Sequence, residues 1–207
     1  MKVAVINEVS ARDKNPHIIE ALKKQPVEVF NVGMKEGEYE TELTYIHTGF
    51  MAATLLNLGA ADMVVGGCGT GQGFLLSVMQ YPGVFCGLIA EPLDAWLFGQ
   101  INGGNCVSLP LNKGFGWAGG INLEYIFEKL FLGEHGGGYP AERRQSQQQS
   151  RKTLQTISQK VHKPFAEIFL QTDSEIITQI FKHKPFVDLV AGQAKNKSLQ
   201  ELILSKI

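Results

Sequence analysis

Residues 66–73 read Gly-Gly-Cys-Gly-Thr-Gly-Gln-Gly, five glycines in eight positions around a single thiol. Glycines at this density let the backbone turn tightly and aim several N–H groups at one point. Where such a loop opens a helix, the helix dipole adds further attraction for negative charge, so an anion or a developing oxyanion belongs there. The nucleotide motifs do not fit. The dinucleotide fingerprint needs a third glycine where Phe74 stands after Gly69 and Gly71, and a phosphate loop needs Lys then Ser or Thr where Gln72 and Phe74 follow the last glycines. Cys68 beside Thr70 is what sets the loop apart. A cysteine at a strand end is most often a small buried hydrophobe, but near a helix N-terminus and a ring of N–H donors its thiolate is stabilised and can serve as base or nucleophile.

Other reactive side chains give weaker signals. Cys86 and Cys106 fall inside apolar strand-like runs, and the three cysteines have no C-x-x-C spacing, so free thiols are expected. The five histidines show no metal-ligand spacing with carboxylates or cysteines. His135 stands out only because it sits in GEHGGG. Arg143, Arg144, Arg151 and Lys152 read as a solvated helix face. Glu91 and Asp94 fit the start of a helix without any catalytic duty. Nineteen basic against twenty acidic residues give a net charge of −1, which lacks the footprint of a nucleic-acid binder. No apolar run is long enough to cross a bilayer, since Asn57 and Asp62 break the longest. MKVAVINE reads as a strand rather than a signal peptide, so a cytoplasmic location is expected.

The elements that must carry the loop follow from hydrophobic periodicity. Strands are expected at 2–7, 27–32, 62–67, 84–90 and 105–109, and helices near 15–24, 43–59, 72–80, 92–101 and 121–132. Such alternation specifies an α/β fold, an αβα sandwich around a five-stranded parallel sheet with ligands beyond the carboxyl ends of the strands. The glycine loop falls on that edge. In the second helix, Ile46, Phe50, Ala53 and Leu58 are expected to form one apolar stripe, with Thr48 off it. Composition changes after the glycines at 133–138: 145–163 lacks any acid, and HKPFAEIF at 162–169 is echoed by HKPFVDLV at 183–190. Residues 1–144 therefore read as one domain. Residues 145–207 read as a helical C-terminal extension that packs on its own core or on a partner subunit.

Cys68-Gly69-Thr70-Gly71-Gln72-Gly73 resembles the signature of the type B ribose 5-phosphate isomerases and the related galactose 6-phosphate isomerase subunits, over about residues 1–144. Glu8 after the first strand, Asn-Val-Gly at 31–33, Tyr45 and Asn-Gly-Gly-Asn at 102–105 support the likeness. The resemblance implies a Rossmann-like fold and a homodimer or higher homo-oligomer with composite sites. It also implies aldose–ketose isomerisation of a sugar phosphate through an enediolate, without metal or cofactor. Cys68 would be the base, Thr70 would bind a substrate hydroxyl, and the amides of Gly69, Gly71 and Gly73 would hold the oxyanion. Tyr45 and Asn102 would line the substrate site, and Arg143 would bind phosphate. The pattern also departs from the family. Ile101 replaces a ring-opening histidine, Glu8-Val9 replaces an aspartate-histidine pair, and Tyr139 replaces the first phosphate arginine. Glu8 could keep the acid–base role, and Lys113 or His135 could replace lost donors, which points to a different sugar or derivative. Two other readings stand beside this one: a non-catalytic sugar-phosphate subunit or sensor, and a thiol hydrolase for which no histidine partner of Cys68 is recognisable.

Overall fold

The computed structural model describes residues 1–37 and 41–206. Five strands, β1 (Lys2–Asn7), β2 (Glu28–Asn31), β3 (Met63–Cys68), β4 (Cys86–Leu88) and β5 (Cys106–Pro110), form one parallel sheet in the order β2-β1-β3-β5-β4. The expected strands are all present, with ends shifted by a residue or two. β4 is the shortest strand among the described residues and closes one edge of the sheet, with Gly87 lying against the Phe98 ring. Strand order turns outward on both sides of the β1/β3 pair, so the crevice beyond their carboxyl ends is where a ligand can enter.

Helices cover both faces, and this explains why the strands read as nearly continuous apolar runs. Val3 and Val5 of β1 face one layer, with α1 (Asn15–Lys23), α4 (Pro92–Leu97) and α5 (Gly119–Leu130). Ala4 and Ile6 alternate to the other face, with α2 (Tyr45–Leu58) and α3 (Gln72–Val78). The helix expected over 92–101 divides: α4 ends at Leu97 and a π turn spans Phe98–Asn102, closed by Gly103 at φ +54°.

The C-terminal extension forms five helices: α6 (Arg144–Val161), α7 (Phe165–Gln171), α8 (Ser174–Phe181), α9 (Lys184–Gln193) and α10 (Lys197–Leu204). Phe165, Phe169, Ile180, Phe186 and Ile203 join the core beneath α2. The second helix of the sheet layer is therefore packed on both sides and buries Met51, Ala52, Thr48 and Thr54 as well as Phe50. The single stripe expected for it is corrected: Ile46 is exposed, and the helix is enclosed nearly all round. Phe50 sits at the centre, with ring centroids 5.5 Å from Tyr81, 5.6 Å from Phe165 and 6.1 Å from Phe169. Full burial of such a ring contributes about 1.5–3 kcal/mol. Both copies of the HKPF echo open a helix on their phenylalanine side, and both phenylalanines are buried. The tail's aromatic residues thus find their partners within the chain. α6 behaves differently, leaving Leu154, Ile157 and Val161 exposed.

Candidate active site

Register sets the first pair of residues. Asn7 pairs with Gly67 across β1 and β3, which places Glu8 and Cys68 side by side where the two strands end. The Glu8 N–H donates to Gly67 O at 3.1 Å, and both Glu8 and Cys68 are 5% exposed. Ser10, on the 3-10 turn that follows, donates its hydroxyl to the Glu8 carboxylate. A buried network holds this turn: Asn7 donates to Ala11 O and Met34 O, and Asn15 donates to the side chains of Asn7 and Asn31.

The glycine loop is fixed from below and left open above. Gly71 takes φ +74°, and its carbonyl accepts the buried Ser108 hydroxyl at 2.6 Å and Leu75 N–H at 3.1 Å. Gly69 O accepts from Asn112 N and Lys113 N at 3.0 and 2.9 Å, and Cys68 O accepts from Leu111 N at 3.0 Å. The N–H groups of Gly69, Thr70 and Gly71 donate to no backbone carbonyl among the described residues. Gly73 has no room for a side chain, because a Cβ there would lie 2.9 Å from the Tyr45 ring. Tyr45, in the first turn of α2, is therefore laid against the loop. Its helix starts with a capping box in which Thr44 N–H donates to His47 Nδ1 at 3.1 Å. Burial lowers the pKa of His47 from its ordinary value.

Two hollows flank the loop. One, of about 550 Å³, is lined by Ser10, Arg12, Asp13, Glu36 and Asn112. The other, of about 260 Å³, includes Thr70, Lys113 and Asn122. Ser10 and Asn112 were not legible from motifs. Asn112 Nδ2 donates to Ser10 O at 2.8 Å, tying the segment after β5 to the turn that follows Glu8. Its placement two residues beyond the carboxyl end of β5 is the signal that could have found it.

The remaining expected site residues lie elsewhere. Asn102 closes the π turn ahead of β5, and the next residues start that strand, so it sits at the amino ends of β4 and β5. One strand of five to six residues separates the two edges, roughly 17–20 Å. His135 braces the same edge: Nε2 donates to Gly104 O at 2.8 Å, while the buried Nδ1 has no partner among the described residues. Arg143 is exposed in the turn before α6. Asn102 and Ile101 line a cavity of about 650 Å³ between α6 and the start of β4, together with Arg151. The structure thus brings Cys68, Thr70, Glu8, Tyr45 and Lys113 to one edge, and leaves Asn102, His135 and Arg143 away from it within one chain. Cys106 is fully buried, and burial together with neighbouring Cys86 pushes its thiol well above the ordinary value, which suits a packing role. Among the described residues no group of three metal-ligating side chains converges, and no helix is long and apolar enough to cross a membrane.

Comparisons with known proteins show the family and the fold. The ribose/galactose isomerase family matches residues 3–139. Among solved structures, a 4-deoxy-L-threo-5-hexosulose-uronate ketol-isomerase complexed with a tartrate is 41% identical, over 99% of this chain and 98% of that one, with a TM-score of 0.95. A ribose-5-phosphate isomerase from Vibrio parahaemolyticus is 42% identical over 100% and 99%, with a TM-score of 0.94. Ribose-5-phosphate isomerase B of Clostridium thermocellum, 20% identical, shares the fold over 78% of this chain and 100% of its own, with a TM-score of 0.64. No match is found among curated proteins. The chain belongs to the ribose/galactose isomerase family and is an aldose–ketose isomerase.

Proposed function

We propose that the chain moves a carbonyl between C1 and C2 of an acidic sugar, with Cys68 as the base. The observation that carries this reading is Cys68 at the end of β3, beside Glu8 and under the unengaged amides of Gly69, Thr70 and Gly71. Removing the proton beside the carbonyl makes an enediolate. Its oxygen takes those amides as donors, and the proton returns to the neighbouring carbon from the same thiol. Thr70 orients a hydroxyl, and the Glu8 carboxyl, bonded to Ser10, is placed to move the proton between O1 and O2.

The substrate reading rests on the departures at 101 and 139. The name of the uronate ketol-isomerase relative describes a sugar with no hydroxyl on C4 and a ketone at C5, so neither of the usual rings can close onto C1. An enzyme for such a substrate needs no ring-opening histidine, and a carboxylate replaces the phosphate. Ile101 and Tyr139 stand where those two duties would fall. A second reading, a sugar phosphate, is favoured by the Vibrio relative's name and by Lys113 sharing a hollow with Thr70.

We further propose that the working unit is a homodimer whose sites combine the carboxyl edge of one copy with the amino edge of the other. Support comes from the separation of Asn102 from Cys68 and from the exposed Leu154, Ile157 and Val161 beside the edge strand β4. The test is turnover in deuterated water of 4-deoxy-5-keto-hexuronate, ribose 5-phosphate and galactose 6-phosphate. The expected result is solvent deuterium in the ketose from the uronate, lost by roughly 10²–10⁴ in rate in Cys68→Ala. Comparable turnover of a phosphate ester would favour the second reading, and no exchange with any sugar would make the chain a binding subunit.

A further inference from the structure

The cavity at the amino edge holds a guanidinium that no part of the isomerase signature accounts for. Arg151 rises from α6 and lies across two glycines, Gly103 and Gly136, which come from segments 48 and 15 residues away in sequence. A Cβ on Gly136 would be 2.6 Å from Arg151 Cζ and Nη1, and one on Gly103 would be 3.1 Å from Cδ and Nε. Both glycines also have positive φ, +71° and +54°. The seat is thus shaped by backbone that no side chain could replace. Arg151 is half-buried, and its Nη1 donates only a long bond, 3.5 Å, to Ile101 O. Among the described residues no carboxylate pairs with it, and the lining of the cavity contains no Asp or Glu. Asn102 lines the same hollow.

A half-buried guanidinium without a counter-charge is costly to hold unless an anion arrives, and its planar fork matches a carboxylate through two parallel N–H bonds. We infer that Arg151 binds the anionic end of the substrate, presented from the amino edge of one copy to the glycine loop of the other. This deepens the isomerase reading and rests on it for the identity of the ligand, though not for the existence of an anion seat. Arg143 and Arg144 are both exposed, and only the Cα and the start of the stem of Arg144, not its guanidinium, lie closest to a glycine, Gly138.

The test uses the full chain and two probes, tartrate and inorganic phosphate, titrated calorimetrically into wild type, Arg151→Gln, Arg151→Lys and Lys152→Gln. Lys152 is the exposed neighbour on the same helix and controls for loss of charge alone. Tartrate is expected to bind wild type and to lose roughly ten- to a hundredfold in Arg151→Gln, less in Arg151→Lys and nothing measurable in Lys152→Gln. The KM for an acidic aldose should rise by the same factor, with a smaller change in kcat. Tighter binding of phosphate than tartrate, still dependent on Arg151, would support the seat while favouring a phosphate ester as substrate. Unchanged affinity in Arg151→Gln, an equal loss in Lys152→Gln, or no binding of either probe to wild type would overturn the assignment. If Arg151→Gln does not fold, Arg151→Lys decides, because unchanged affinity there removes the need for a paired fork. Arg151-dependent tartrate binding without turnover of any acidic aldose would support the seat and sink the substrate reading instead. Turnover with tartrate binding indifferent to Arg151 would do the reverse.

Discussion

The two edges of the sheet are built by opposite means. At the carboxyl edge, one contiguous segment holds the turn together with the proposed base and donors, and its neighbours Glu8 and Lys113 arrive by strand register and by a single connection. At the amino edge, nothing contiguous makes a site: Arg151, Gly103 and Gly136 meet only because α6 crosses the π turn and the loop after α5. Chemistry that depends on backbone amides can be written in eight adjacent residues. A specificity seat that depends on where a long side chain rests has to wait for tertiary structure, and it is free to drift when the substrate changes. On the proposed reading, the glycine loop can keep its duty in a chain that carries Ile101 and Tyr139.

The sharpest way to break this comparison is to damage the edges separately and mix the products. Cys68→Ala and the double variant Asn102→Ala with Arg151→Gln should each be nearly inactive. If sites are shared between copies, refolding them together at equal amounts should restore about a quarter of wild-type activity, since half of the dimers are mixed and one of their two sites is intact. A monomeric enzyme, or a site contained in one chain, would give no recovery. Light scattering on the same samples reports the assembly directly.

Two buried serines allow a finer comparison. Ser108 donates beneath the glycine loop to Gly71 O, while Ser158 accepts from Gly83 N–H at 3.0 Å and fixes α6 to the segment before β4. Replacing Ser108 by alanine removes one hydrogen bond, worth about 0.5–1.5 kcal/mol; replacing Ser158 removes the comparable bond from Gly83 and a long, weak one of 3.4 Å with His162 Nδ1. Their thermal shifts should therefore be alike, but their kinetics should differ. Ser108→Ala should lower kcat by loosening the oxyanion donors, whereas Ser158→Ala should raise KM by shifting Arg151. The same kinetic signature from both would mean that the edges do not have separate duties.

Legibility divides along the same line. The five strands, their order of helices and the glycine loop follow from periodicity and local motif, because parallel strands buried on both faces read as unbroken apolar runs. The character of α2 did not follow. Its sequence admits a single stripe, whereas the sheet and α3 on one side and the helices of the extension on the other enclose it and bury Thr48 and Thr54 with Phe50. Arg151 carried a misleading signal, since Arg143, Arg144 and Lys152 surround it in sequence and are all exposed. Its two glycines looked like loop residues. Nothing local could tell that they clear a seat.

The smallest expected effect concerns the carboxyl edge and acid. His47 accepts the Thr44 N–H at the start of α2, and burial keeps its pKa below the usual ~6.5. A group whose folded pKa is lowered binds fewer protons in the folded state, so its contribution is present above the unfolded value and is lost as pH falls through the folded one. Protonation would also take away the lone pair that caps the helix. Because Tyr45 leads that helix and lies on Gly73, the first turn should loosen just where the loop needs support. Thermal stability should decline modestly as pH falls below about 6.5. His47→Gln, whose amide oxygen can accept the same bond without titrating, should flatten the decline. An identical slope in the variant would assign the acid sensitivity to other groups and free the capping box from any part in shaping the site.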